Sequence, residues 1–115
     1  MKFSIITPTY KRADKLTRAV KSVLDQTYTD WEMIIVNDSP DDTAYDLFEK
    51  TIFDPRIIYL KNTQNAGVNF SRNRALDNLS KDSDWVIFLD DDDYLAPDAL
   101  GTFTKLIATH PDNKW

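Results

Sequence analysis

Four short apolar segments recur along the chain. They are rich in Ile, Val, Phe and Trp, and they cover Phe3 to Ile6, Trp31 to Val36, Ile57 to Leu60, and Trp85 to Leu89. None of them alternates cleanly between apolar and polar residues, a pattern typical of strands that are buried on both faces of a parallel sheet. We therefore predict four buried, parallel strands.

Helical patterns lie between and after these segments. From Leu16 to Leu24, apolar residues follow the i, i+3, i+4, i+7 spacing of an amphipathic helix. Three shorter stripes consist of Ala44, Leu47 and Phe48, of Val68, Ala75, Leu76 and Leu79, and of Leu100, Phe103 and Ile107. The order β-α-β-α-β-α-β-α with right-handed crossovers predicts an α/β fold: a Rossmann-like, doubly wound parallel sheet with helices on both faces.

Length and composition narrow the class of protein. The 115 residues suit one domain spanning 1–115, and a hydrophobic content of 42% argues against disorder. A net charge of -5 argues against nucleic acid as a partner, because phosphate binding usually requires a basic face. The apolar runs are too short for a signal peptide or a membrane span, so we expect a cytoplasmic protein. Attachment to the inner face of the membrane in a fuller protein stays open.

The strongest chemical signal is the acidic run Asp90 to Asp93, which directly follows the fourth predicted strand. Carboxylates this close repel each other and resist ionisation when partly buried, and a divalent cation removes that penalty. Aspartate oxygens are hard ligands that suit Mg²⁺, Mn²⁺ or Ca²⁺. The alternative is a solvated turn that caps the next helix, although a single aspartate would suffice for that.

Polar segments also follow the other strands, at the rim where open α/β sheets bind ligands. Thr7 to Arg12 could offer backbone groups and an aromatic ring to a nucleobase, or could simply form a rigid proline turn. Asp38 could accept from a nucleobase N–H or a ribose hydroxyl, or could form an Asx turn.

The third rim segment contains Gly67, Arg72 and Arg74. Gly67 permits a backbone conformation or a close approach that other residues would not. Arg72 suits a diphosphate, with a plain surface charge as the alternative, and Arg74 should face elsewhere on the helix. The chain has no glycine-rich phosphate loop, and its single histidine, His110, lies near the end, so the sequence gives no basis for a histidine-based triad. An anionic ligand would therefore be held by a cation and by arginine.

In this order, the segments resemble the N-terminal half of family 2 glycosyltransferases, which have the GT-A fold. The matching stretches are Ser4 to Arg12, Ser22 to Tyr28 with Glu32 to Asp38, Asn65 to Gly67 with Ser71 to Asn73, and Phe88 to Asp93. One departure is Asn37-Asp38-Ser39-Pro40, where the family often has Asp-Asp-Gly-Ser. This change leaves Asp38 in place but shortens or reshapes the loop.

The resemblance implies roles for individual residues. Its nucleotide-binding set would be Pro8, Thr9, Tyr10, Asp38, Gly67, Arg72, Asp90 and Asp91. Asp38 would bind the base, typically uracil. Asp90 and Asp92 would form the Asp-x-Asp motif, with Asp92 as the direct ligand of Mn²⁺ or Mg²⁺. Asp91 or Asp93 would reach the ribose or a metal-bound water.

The implied activity is metal-dependent, inverting transfer of a sugar from a nucleoside diphosphate donor to an acceptor hydroxyl. The resemblance favours a UDP-sugar as the donor and a carbohydrate or a lipid-linked molecule as the acceptor. The family fold continues past the Asp-x-Asp motif, and it carries the general base there. The resemblance therefore implies a donor-binding half, an incomplete GT-A domain that is truncated after this motif. We expect no catalytic residue in this chain and no activity from it alone.

Two alternatives remain from the sequence. The chain could be a binding module that holds nucleotide and metal without transferring anything. It could also be a Mg²⁺-dependent phosphotransfer domain, although such domains need a lysine at a later strand end and no strand is predicted after Leu89. An uncovered sheet edge would in addition favour a homodimer.

Overall fold

The computed structural model describes residues 1–51 and 54–109, so His110 lies outside the described residues, as do the side chains of Leu47 and Phe48. Strands and helices alternate in the predicted order. The elements are β1 (Phe3–Thr9), α1 (Ala13–Leu24), β2 (Trp31–Asn37), α2 (Ala44–Thr51), β3 (Ile57–Lys61), α3 (Val68–Leu76), β4 (Trp85–Phe88) and α4 (Ala99–Thr109).

The described strands form one parallel sheet in the order β3-β2-β1-β4. Helices cover both of its faces, which confirms the predicted doubly wound α/β architecture. One face of β1 and β2 packs with α1, α2 and α4 around Ile5, Met33 and Leu100. The other face packs with α3 around Ile6, Ile34 and Ala75.

The prediction of four fully buried strands was wrong for the two outer ones. Every residue of β2 is buried and nearly every residue of β1, but β3 is only half-buried. In β4, Val86 is 37% exposed and Phe88 is 52% exposed. The sheet order gives the reason, because β3 and β4 occupy its two edges and each lacks a strand on one side.

The predicted apolar stripe of α3 was also wrong in part. Ser71 and Ala75 are buried, whereas Val68 and Leu76 are exposed. Ser71 and Ala75 face the sheet, and because they are small they let α3 approach β1 and β2 closely. A stripe of larger side chains would hold the helix further away. The close approach brings the start of α3, and with it Arg72, to the carboxyl ends of the strands.

Strand β1 extends three residues beyond its apolar run and includes Pro8. It pairs with β2 as far as Thr9 but with β4 only as far as Ile6. The last three residues of β1 therefore pair with a strand on one side only. This suits Pro8, which has no backbone N–H to donate to a neighbouring strand. This open side lies at the sheet rim where the sequence predicts a ligand site.

Candidate functional site

The strand ends enclose a cavity of about 300 Å³. It is lined by Pro8, Thr9, Tyr10, Arg12, Asp38, Val68, Ser71, Asp90, Asp91 and Asp92. A second cavity, of about 520 Å³, adjoins it and shares Tyr10 and Asp38. Every residue predicted for the site lines the first cavity except Gly67, Arg72 and Asp93. Gly67 donates a hydrogen bond to Asp38, and Arg72 forms an ion pair with Asp90.

The acidic run divides into an outward and an inward part. Asp90, Asp92 and Asp93 are exposed, and one carboxylate oxygen from each lies within 4.8 Å of the other two. Three hard oxygens at this spacing fit a divalent cation such as Mg²⁺ or Mn²⁺. Asp93 thereby joins the predicted pair, whereas the neighbouring Asp91 is only 5% exposed and faces the protein.

Asp91 is held by residues from the end of β1. The hydroxyl of Thr9 donates to its Oδ2 at 2.9 Å, and Nη1 of Arg12 lies 3.4 Å from its Oδ1. These partners offset the cost of burying the carboxylate. They also fix the backbone of the run, since Asp91 stands between the two members of the Asp-x-Asp motif.

Two arginines approach the acids from opposite directions. Arg12 Nη1 lies 3.3 Å from Oδ2 of Asp92, and Arg72 Nη2 lies 3.6 Å from Oδ1 of Asp90. The guanidinium of Arg72 also lies 5.5 Å from the centre of the Phe88 ring. Sequence reasoning did not predict a role for Arg12. Its position shortly after the end of β1 could have indicated one.

Asp38 is buried at the end of β2 and accepts three hydrogen bonds. Its Oδ1 accepts from Nδ2 of Asn62 and from the backbone N–H of Ala66, both at 2.8 Å, and its Oδ2 accepts from the N–H of Gly67 at 2.9 Å. Burial raises the pKa of Asp38, but the bonds from Ala66, Asn62 and Gly67 outweigh this effect and lower its pKa overall. Asp38 is therefore an ionised acceptor at neutral pH.

Asn62, which sequence reasoning missed, connects Asp38 to α3. Its Nδ2 also lies 3.0 Å from Oγ of Ser71, and its Oδ1 accepts from Arg74 Nη1 at 2.8 Å. Arg74 thus faces away from Arg72 and the acidic run, as its helical spacing predicts. Gly67 has a φ of +92°, a backbone conformation that residues with a side chain rarely adopt. This conformation lets its N–H reach Asp38.

Comparison with known proteins decides the class. The profile of Glycosyl transferase family 2 matches residues 4–113, nearly the whole chain. The chain belongs to this family. The glycosyltransferase family match thereby displaces the phosphotransfer alternative and agrees with the resemblance found in the four rim segments.

Individual family 2 relatives are longer than this chain. The chain is 38% identical over 103 residues to the putative colanic acid biosynthesis glycosyl transferase WcaA of Escherichia coli (strain K12), covering 87% of this chain and 36% of WcaA. It is 40% identical over 106 residues to the GalNAc(5)-diNAcBac-PP-undecaprenol beta-1,3-glucosyltransferase of Campylobacter jejuni, covering 90% of this chain and 34% of that enzyme. The chain thus spans about a third of the length of these curated relatives.

Solved structures support the same fold. The structure of S. aureus TarS 1-349 in complex with UDP-GlcNAc superposes with a TM-score of 0.85 at 28% identity, covering 96% of this chain and 32% of that one. The sheet and its rim therefore have the GT-A architecture. Within residues 1–51 and 54–109, no helix has the length and apolar character needed to cross a bilayer.

Proposed function

We propose that this domain binds the nucleoside diphosphate sugar donor of a metal-dependent, inverting glycosyltransferase. One observation carries the proposal: Asp90, Asp92, Arg12 and the buried, ionised Asp38 line one cavity at the sheet rim, and Arg72 forms an ion pair with Asp90 beside it. Such a cavity has a negative side for a cation and positive groups for phosphate oxygens. The curated relatives support a donor of this chemistry, since one is named as a UDP-Glc-dependent glucosyltransferase.

The cation would be held by Asp90 and Asp92, with Asp92 as the direct ligand and Asp93 near enough to assist. When bound, it neutralises negative charge on the leaving diphosphate. Arg72, in the middle of α3, is placed to add positive charge on the same side. Asp91 keeps its inward bonds and contributes by orienting its neighbours.

Asp38 would bind the base, and its hydrogen bonds favour uracil. A carboxylate has about four acceptor positions, and the bonds from Asn62, Ala66 and Gly67 occupy three of them. One position remains, on Oδ2. Uracil presents a single ring N–H, whereas the Watson–Crick edge of guanine presents two adjacent donors, so a one-position acceptor suits a UDP-sugar better than a GDP-sugar.

The nucleoside would extend from Asp38 along Pro8, Thr9 and Tyr10, with Gly67 closing the opposite side. The acceptor would be a carbohydrate or a lipid-linked saccharide at the inner face of the membrane, as the undecaprenol in the name of one relative suggests. We propose that the general base belongs to a part of the enzyme other than residues 1–115. This chain alone should then bind the donor without transferring the sugar.

Titration calorimetry with UDP and GDP, with and without Mn²⁺, tests the proposal. We expect UDP to bind only weakly without Mn²⁺, and to bind more tightly than GDP when Mn²⁺ is present. Asp92→Ala should lower the affinity for UDP in Mn²⁺ by about tenfold or more, which corresponds to roughly 1.4 kcal/mol. The exposed Asp77→Ala, at the end of α3, is the matched control and should leave the affinity unchanged.

Two results would contradict the proposal, and the second of them would favour the binding module that transfers nothing. Equal UDP binding with and without Mn²⁺, unchanged by Asp92→Ala, would defeat the metal-bridged donor site. If a protein that also carries an acceptor-binding part bound UDP-sugar and Mn²⁺ but transferred nothing, the module that only binds nucleotide and metal would be correct.

A further inference from the structure

A turn with an unfavourable backbone conformation separates β1 from α1. Lys11 has a φ of +54°, the only positive φ of a non-glycine residue in the described part of the chain. A residue with a Cβ adopts this conformation at a cost in free energy, so surrounding contacts have to hold it. Two bonds do so: the N–H of Lys11 donates to Oγ of Ser39 at 3.2 Å, and the N–H of Arg12 donates to the hydroxyl of Tyr45 at 2.9 Å.

Tyr45 lies on α2, is 2% exposed, and does not line either cavity at the rim. Its hydroxyl is 2.7 Å from Oγ1 of Thr9, which in turn donates to Oδ2 of Asp91 at 2.9 Å. The described side chains therefore connect α2 to the acidic run through one buried hydroxyl of β1.

The direction of this chain of bonds follows from the donors. An ionised carboxylate only accepts, so the single hydroxyl hydrogen of Thr9 points to Asp91. Tyr45 must then donate to Thr9, and its oxygen accepts from Arg12 N–H. Each hydroxyl is both donor and acceptor, so hydrogen bonds run in one direction from the turn, through Tyr45 and Thr9, to the carboxylate.

We propose that Tyr45 is a positioning residue for the cation and diphosphate, and this inference rests on the proposed function. By fixing Thr9, it keeps Asp91 turned inward, and Asp90 and Asp92 on either side then face the cavity. By accepting from Arg12 N–H, it places the guanidinium that lies 3.3 Å from Asp92. One hydroxyl that does not line the cavity thereby positions both acidic and basic groups of the site.

Tyr45→Phe tests the proposal because it keeps the ring in the core and removes only the hydroxyl. We expect the affinity for UDP in Mn²⁺ to fall by roughly two- to tenfold, with little change in the weak binding of UDP without Mn²⁺. Thr9→Val interrupts the same chain of hydrogen bonds, so the double variant should lose little more affinity than Thr9→Val alone. Tyr28→Phe, which removes a hydroxyl that bonds to the carbonyl of Met1, is the matched control and should bind normally.

Nuclear magnetic resonance of the ligand-free protein supplies a readout that does not depend on the donor. Tyr45→Phe should shift the amide signals of Asp90 to Asp93 and speed hydrogen exchange at Arg12 N–H, whereas Tyr28→Phe should leave both unchanged. A folded Tyr45→Phe protein with wild-type amide signals in the acidic run and wild-type UDP–Mn²⁺ affinity would overturn the proposal. If wild-type protein binds no nucleotide, the proposed function fails, and the amide signals still decide whether Tyr45 orders the acids.

Discussion

Buried and exposed aspartates at the rim have different tasks because of their partners. Asp38 and Asp91 are both nearly fully buried, and protein donors compensate both carboxylates. Asp90, Asp92 and Asp93 are exposed and crowd each other, so their charges favour an external cation. Within the acidic run, one aspartate is thus held by protein donors while its three neighbours present their carboxylates to solvent.

The hydrogen bonds to Asp38 make stability depend on pH. Its pKa is lowered in the folded protein below the ordinary value of 3.8, so the ionised form stabilises the fold above that value. This contribution is lost as the pH falls through the lower folded pKa. Asp38→Asn cannot accept equally from the N–H groups of Ala66 and Gly67, and it should reduce the free energy of unfolding at pH 7.

Urea unfolding of both proteins at pH 7 and near pH 3 checks this prediction. We expect the difference in unfolding free energy between wild type and Asp38→Asn to shrink at the lower pH. Asp54 and Asp82 also have lowered pKa values, but they are common to both proteins and cancel in the difference. A difference that is the same at both pH values would contradict the role of the ionised carboxylate.

At this scale the sequence predicts which strand ends carry chemistry but not every contact. The acids, Gly67 and Arg72 follow from their types and positions. The inward turn of Asp91 does not, because the direction of each side chain depends on how the loop leaves β4. Arg12 and Asn62 were missed because their acidic partners lie 79 and 24 residues away in sequence.

Among the elements, helices and strands follow closely from the hydrophobic pattern, and the differences have a common cause. Apolar runs identify β3 and β4 but do not say that these strands lie at the edges, which depends on strand order. Likewise, small residues of α3, Ser71 and Ala75, face the sheet because the helix backbone lies close to the strands. The positions of large apolar residues in the sequence do not reveal this close packing. Order and proximity are properties of the assembled sheet.

The turn between β1 and α1 gives a prediction about stability. Lys11→Gly removes the steric cost of the positive φ, partly offset by the greater freedom of glycine in the unfolded chain, and should raise the free energy of unfolding by up to about 1 kcal/mol. Lys15→Gly, at an exposed position within α1, should lower it by about 1 kcal/mol. Denaturant unfolding measures both values, and a loss of stability in Lys11→Gly would show that the turn is not strained.

At the scale of the whole molecule, the described strands form a sheet with β3 and β4 at its two edges, and neither pairs with a further described strand. Strand β4 exposes Val86 and Phe88, and an apolar cavity of about 210 Å³ lies beside it, lined by Phe3, Trp85, Val86, Ile87, Phe103, Leu106 and Ile107. Exposed edges with apolar side chains favour pairing with another chain. We predict that the chain of residues 1–115, studied by itself, forms a homodimer through β4 in solution.

Light scattering over a range of protein concentrations checks this association. Wild type should shift from monomer to dimer as its concentration rises, and Val86→Lys should remain monomeric because it adds a charge to the edge. Thr17→Lys, at an exposed position on α1, adds the same charge away from the edge and should dimerise like wild type. A wild-type protein that is monomeric at every concentration would contradict the prediction.

The bond between Thr9 and Asp91 spans 82 residues of sequence, from the first strand to the segment after the last. Neither terminal segment can assemble the pocket by itself, so only a chain that has completed its sheet offers a place for ligand. Ligand binding and folding are then linked equilibria, and any molecule that binds at the rim lowers the fraction of unfolded protein. A donor molecule bound at the rim would therefore stabilise the folded chain.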